Sequence, residues 1–236
     1  MSIFRRMGYI IMAVSLTMIV WVSALEWVTY DVDHYMSEFE KQNWVPATGL
    51  DQVNLSYAAT EIIDYLKGEK DHFQTIAVKD GVLQPLYDER ELTHMEDVLY
   101  LFDLARLLRR VSVVSMILLT LVALKWDPKW KINWLRMAAY AALGNVAALL
   151  GLGLLIRVDF TKYFTYFHLL FFDNDLWILD PQRHVLIQML PETFFRNTAI
   201  KIGQTAVGSL LFLGAIAGVS TKLLNRNNKQ QTSNLQ

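Results

Sequence analysis

The stretch GYIIMAVSLTMIVWVSAL, Gly8 to Leu25, decides the fold class: it holds no charged residue and follows Arg5 and Arg6. About twenty apolar helical residues cross a hydrocarbon core of roughly 30 Å, so the run reads as a membrane span. Val22, Ser23 and Ala24 resemble a signal-peptidase site, but the run is long for a signal peptide, and a retained anchor is expected. Three later stretches read the same way, and spans are expected at about residues 8–25, 104–124, 137–156 and 200–224. A chain that is 53% hydrophobic over 236 residues fits that class. The fold class is a predominantly α-helical integral membrane protein with four transmembrane helices. Residues 26–97 and 157–199 form an extracellular cap of short helices and a small β-hairpin.

Charge orients these spans. Residues 1–7, 125–136 and 222–236 hold nine basic groups and one acidic group, which leaves 13 basic (22 minus 9) and 22 acidic (23 minus 1) elsewhere. Basic loops stay in the cytoplasm, so both termini are expected there and the cap outside. Without cysteine there is no disulfide, thiolate nucleophile or cysteine metal site. The tail from Asn225 to Gln236 is polar and is expected to be disordered.

Within the cap, Tyr57 to Lys67 has the apolar spacing of a surface helix, with Ser56 or Asn54 as cap and Gly68 past its end. Gln74 to Tyr87 reads as two short strands around Asp80 and Gly81, a tight hairpin turn, with Pro85 on an edge strand. The region is too short for a large core of its own and should lean on the membrane helices. The second long helix starts with Asp88 or Thr93 as cap. Asp103, Arg106 and Arg110 share one of its faces, so it should protrude beyond the bilayer. Gly144, Gly151 and Gly153 in the third span would allow close helix contact. Asp180 followed by Pro181 predicts a short helix over Gln182 to Leu190.

Two polar clusters interrupt this apolar plan. In YDERELTHMEDV, Tyr87 to Val98, the residues Glu91, His94 and Asp97 recur at i, i+3 and i+6, so the carboxylates flank the histidine on adjoining turns. A carboxylate bonded to one ring nitrogen fixes the tautomer and raises the basicity of the other. Such a spacing also describes a helix start with solvated charges. In YFHLLFFDNDLWILDP, Tyr166 to Pro181, His168 stands in an aromatic run of the kind found at headgroup level. Asp173, Asn174 and Asp175 either orient it or end a helix. His34, His72 and His184 have polar neighbours and are assigned to the surface. No zincin, nucleophile-elbow or phosphate-loop motif is present, nor a basic patch for nucleic acid. No cofactor or metal site is advertised.

With LSYAATEIIDYLKG at Leu55 to Gly68 and MLPETFF at Met189 to Phe195, these two motifs make the chain resemble the bacterial lipoprotein intramolecular transacylase family, Lit, over nearly its whole length. The resemblance implies transfer of the sn-2 acyl chain of a diacylglyceryl lipoprotein to the α-amine of its N-terminal cysteine, giving a lyso-form lipoprotein. The family's histidines fall on His94 and His168, and its surrounding motif positions on Tyr87, Arg90, Glu91, Asp97, Asp173 and Trp177. Diacylglyceryl-modified lipoproteins and membrane lipid are the implied partners. The chemistry suits two histidines, because the amine must lose a proton and the glyceryl oxygen must gain one. His94, oriented by Glu91 or Asp97, is taken as base, and His168, with Asp173 or Asn174, as donor, the reverse remaining open. The alternatives are a non-catalytic membrane protein whose cap binds lipid or a protein partner, and an esterase.

Overall fold

The computed structural model describes residues 3–42 and 44–233. In chain order the elements are α1 (Ile3–Thr29), α2 (Val32–Gln42), α3 (Val45–Thr48), α4 (Gln52–Lys67), β1 (Ile76–Lys79), β2 (Val82–Pro85), α5 (Glu89–Trp126), α6 (Trp130–Val158), α7 (Phe160–Phe171), α8 (Val185–Met189) and α9 (Glu192–Ser233). Four helices, α1, α5, α6 and α9, are long and apolar enough to cross a membrane. The chain divides into two compact units.

One unit comprises Met1–Ala24, Arg106–Gly153 and Ile202–Gln236. Its apolar side chains point outward as well as inward: Ile10, Val14, Leu118, Leu121, Leu143 and Phe212 are all exposed, as lipid-facing residues are. Close approach occurs where small residues meet, but not at the expected glycines. A Cβ placed on Gly144, Gly151 or Gly153 would meet nothing within 4 Å. On α9, by contrast, a Cβ on Gly214 would lie 2.9 Å from the Ala142 Cβ, and one on Gly203 would lie 2.6 Å from Leu149. At those places α6 meets α9 through Ala142 and Leu149, and not through its own glycines.

A polar node lies inside this unit. Asn145, buried on α6, donates to Thr17 Oγ1 at 2.9 Å and to the Ala141 carbonyl at 2.8 Å, and accepts from Trp21 Nε1 at 2.7 Å. In hydrocarbon such groups must find partners inside the protein. At the α5–α6 turn, buried Asp127 accepts from Tyr9 Oη, Asn133 Nδ2 and the Lys129 N–H, with Arg5 3.8 Å away. Desolvation pushes its carboxyl up, but these donors and Arg5 together hold it below the usual carboxylate range. Asp127→Ala strips three donors of their acceptor and is expected to cost about 1–3 kcal/mol, read as a lower melting temperature in detergent. Asp127→Asn, which keeps an acceptor, should lose less. An unchanged midpoint for the alanine variant would dismiss the clasp.

The other unit comprises Leu25–Ala105 and Leu154–Lys201. Helix α4 starts earlier than its apolar spacing suggests, because Asp51, rather than Ser56 or Asn54, caps it through the Asn54 N–H at 2.8 Å. It ends at Gly68, where the left-handed φ of 78° lets two carbonyls be closed off. Its buried face of Leu55, Ala59, Ile62 and Leu66 packs with Tyr35 and Phe39 of α2 and Leu186 and Met189 of α8. The cap therefore has a core of its own, closed by Met95 near the start of α5 and Phe194 near the start of α9. The hairpin turns through Asp80 and Gly81, both at positive φ, and pairs Ile76 with Pro85.

Three further expectations are corrected. His34 and His184 are buried: His34 Nε2 lies 2.9 Å from Thr198 Oγ1, and His184 Nδ1 accepts the Asp180 N–H. Their polar neighbours in sequence hid the packing of α2 and of the 180–184 turn. Asp180 starts a turn and not the expected helix, since its carbonyl receives the N–H groups of Arg183 and His184, and α8 covers only Val185–Met189. Finally, Asn225 to Ser233 is helical where disorder was expected. Extending a long helix is far cheaper than nucleating one. The rest of that tail, Asn234 to Gln236, lies outside the described residues.

Candidate active site

Helix α5 begins in a reciprocal cap. Asp88 Oδ1 accepts from the N–H groups of Arg90 (3.0 Å) and Glu91 (3.1 Å), while Glu91 Oε2 accepts from the Asp88 N–H at 2.8 Å. This arrangement satisfies N–H groups that a helix start leaves open, and it settles the choice between Asp88 and Thr93. Glu91 Oε1 accepts from the Leu186 N–H at 2.6 Å. With only 1% of its surface exposed, Glu91 has its carboxyl pushed up by desolvation, against the opposing effect of those two N–H groups. Both of its oxygens are engaged, so it joins the α5 start to α8 and is not the partner of His94.

That cap sets the phase of α5 and puts His94 on the buried side of its second turn, ahead of the apolar stretch. Its Nδ1 is buried and makes no hydrogen bond within the described residues. Desolvation first, and then the neighbouring His168, hold this imidazole down to about 4, against the pull of Asp97. It is neutral at pH 7.

His168 comes from the last turn of α7, which Asp159 caps through the Lys162 N–H at 3.0 Å. Its Nδ1 lies 2.7 Å from the Phe164 carbonyl, an oxygen that only accepts, so Nδ1 carries the proton and Nε2 the lone pair. Desolvation holds it below the ordinary imidazole value, against that hydrogen bond and Glu192. The two histidine rings lie 6.2 Å apart between centroids. Trp177 stacks on His168 at 4.7 Å, and Phe172 packs edge-on to His94 at 5.4 Å. The separation of the two imidazoles is within the reach of proton transfer through one bridging group.

The loop after α7 is tied back to α5 by residues read from both clusters. Asn174 Nδ2 donates to Asp97 Oδ2 at 2.8 Å, Asn174 Oδ1 accepts the Leu176 N–H, and its carbonyl accepts Trp177 Nε1 at 3.0 Å. Arg90 donates to the carbonyls of Ile178 and Asp175 and pairs with the Asp175 carboxylate at 3.3 Å. Asn174 thus acts on His168 only through Trp177, and Asp173 is exposed, so neither orients the ring directly as expected. Tyr87 stands apart in the core, stacked on Phe73 at 4.5 Å, its hydroxyl 3.8 Å from Met189 Sδ and pushed up by burial. His184 joins this site unannounced by its sequence: its Nε2 lies 3.3 Å from Asp88 Oδ2 and so braces the α5 cap. Its only signal was proximity to Asp180 and Pro181, which promise a turn.

Among the described residues no group of three or more His, Cys, Asp or Glu side chains is placed to hold a metal ion. No curated protein matches the chain. Its fold matches a solved structure of the membrane integral lipoprotein intramolecular transacylase Lit from Bacillus cereus, with a TM-score of 0.77 and 20% identity over 94% of this chain and 98% of that one. Two further structures of the Bacillus cereus protein, in which a histidine is replaced by arginine or by alanine, match at a TM-score of 0.73 and 20% identity. They cover 95% and 94% of this chain and 95% and 96% of theirs. The family model for the lipoprotein intramolecular transacylase Lit matches residues 10–195, and on that match the chain belongs to this family of bacterial membrane acyltransferases.

Proposed function

We propose that the chain moves the sn-2 acyl chain of a diacylglyceryl lipoprotein to the α-amine of the same molecule's N-terminal cysteine, with His168 as base and His94 as proton donor. The observation that carries this is the pair itself: a tautomer-fixed His168 with Nε2 free, facing a His94 whose Nδ1 has no protein partner. The amine attacks the ester carbonyl, the C–N bond forms, and the amine proton passes to His168 Nε2. The glyceryl oxygen leaves with a proton from His94, and proton exchange between the rings resets both. Because nucleophile and ester share a molecule, orientation supplies effective molarities of up to about 10⁵–10⁸ M, and no enzyme nucleophile is required. The negative excess of the cap, against basic residues 1–7 and 125–136, supports a site facing outside and termini in the cytoplasm.

The test is purified protein in vesicles with a synthetic diacylated lipopeptide labelled at sn-2, followed by mass spectrometry. N-acyl lyso product supports the reading. Free labelled fatty acid would make the protein an esterase, and the absence of turnover would leave a binding protein.

The state of the histidines sets the pH response. Both are neutral in the folded site, while the unfolded chain binds protons from about pH 6.5 downwards. The contribution of His94 to stability is complete above that value and is lost as pH falls towards about 4, and His168 acts in the same direction. The melting temperature should therefore fall across that window. Activity should rise between about pH 6 and 8 as the substrate amine, with a reference pKa of about 7.7–8.0, loses its proton. A profile flat over that range would remove amine deprotonation from the mechanism.

The Asn174 bridge carries its own expectation. Asn174→Ala keeps the main-chain carbonyl that accepts from Trp177 but unties that segment from Asp97, and should lower kcat by about 10- to 100-fold with little change in KM. Asp97→Asn keeps an acceptor and should stay near wild type, and Asp97→Asn combined with Asn174→Asp should restore much of the rate. If Asp97→Asn is as damaging as Asp97→Ala, the charge of Asp97 acts on His94 directly and the bridge is incidental.

A further inference from the structure

Helix α7 is a surface helix without a watery face. It has 12 residues, about 18 Å of helix, too short to cross a core of roughly 30 Å. On the side away from His168, Leu170 is 77% exposed, Leu169 63% and Tyr166 54%, and Phe167 and Phe171 are exposed beside them. Lys162 is the charged residue of that helix, and its ammonium lies 5.7 Å over the Tyr166 ring, the posture of a side chain whose stem follows an apolar surface while its head reaches outward. In water such a face would be an aggregation site.

The chain shows what covers it. Helix α6, one of the four long enough to cross a membrane, ends at Val158, and a single residue, Asp159, separates it from α7. The last turns of α6 expose Leu154, Leu155 and Val158, within the same unit as α7. The apolar surface therefore continues along the chain from a membrane-crossing helix into α7. Arg157 and Lys162 flank the joint, where phosphate headgroups would meet them.

We propose that α7 lies in the plane of the membrane, with its Tyr166, Leu169 and Leu170 face inserted among the acyl chains of the leaflet that α6 reaches at its C-terminal end. Its partner is the lipid itself. In-plane helices of this kind sit at the boundary between headgroups and chains, the level at which glycerol esters lie. His168, on the opposite side, is then held about one helix diameter, roughly 10 Å, from the lipid-facing edge. On the proposed transacylase reading, which this consequence alone rests on, α7 sets the depth of the reacting imidazole to that of the ester.

The absence of native cysteine makes the test clean. Leu170→Cys, carrying a nitroxide label in phospholipid vesicles, is compared with Leu118→Cys on α5 and Val82→Cys on the hairpin, both exposed in the protein. The expected result is a label at 170 open to oxygen and shielded from a water-soluble nickel complex, like that at 118. A label at 170 as open to nickel as that at 82 overturns the proposal. Leu169→Glu with Leu170→Glu should lower turnover in vesicles by about 10- to 100-fold with the melting temperature held. Unchanged turnover would refute the depth-setting role. Lipid burial at 170 in a wild type that forms no N-acyl product would sustain the surface and sink the proposed function, so the two failures are told apart.

Discussion

Replacing His168 with alanine is expected to lower kcat/KM for the lipopeptide by about 10²- to 10⁴-fold, the usual worth of a positioned general base. The loss should fall on kcat, because the imidazole acts on a proton in flight and not on the bound lipid. Geometry supports His168 in the proposed base role: the Phe164 carbonyl at 2.7 Å holds the proton on Nδ1 and leaves Nε2 bare. His94 lacks such a partner, and as a neutral ring at pH 7 it would pass its N–H proton to the leaving oxygen while taking one back from the protonated His168. His94→Ala should also be impaired, and the double variant should be little worse than the more damaged single one, as for groups that act as a unit. Added imidazole should restore part of the rate to His168→Ala. Full conversion by a folded His168→Ala would remove the base, and multiplying losses in the double variant would separate the two rings.

Glu91→Ala should give the largest loss of stability. The side chain accepts two backbone N–H groups, those of Asp88 and Leu186, in a site closed to water. Removing it strands both donors, at about 1–3 kcal/mol each, and opens a cavity besides. A loss of about 3–5 kcal/mol is a large share of a typical domain's stability, so a steep fall in melting temperature or in folded yield is expected. Glu91→Gln keeps one acceptor oxygen and carries no buried charge, and should lose far less. The comparison also tests the role assigned from geometry. A Glu91→Gln protein that is stable yet inactive would return Glu91 to the histidine, as its sequence spacing first suggested.

Much of this architecture is legible without coordinates. The four apolar runs and the Asp-Gly turn follow from local pattern, because lipid enforces the spans and backbone sterics enforce the turn, while the charge count put the His94 and His168 clusters on one side. What escaped depends on which neighbour arrives. Glu91 is one helical turn from His94, yet its partners are the Asp88 and Leu186 N–H groups, the second far along the chain. His34 and His184 look solvated in sequence and are buried by residues distant from them, such as Thr198 and Asp88. Asn145 hid among alanines, since its use requires Trp21 and Thr17 on another span. Spacing names which groups share a face, but not the occupant of the space beyond it.

That amide of Asn145 bears on how the chain is made. During synthesis α1 emerges long before α6, so Thr17 and Trp21 are already in place when Asn145 enters the lipid. A half-built chain that had lost or misplaced α1 would leave that carboxamide in hydrocarbon with only the Ala141 carbonyl of its own helix to bond, so α6 is completed by the span made before it.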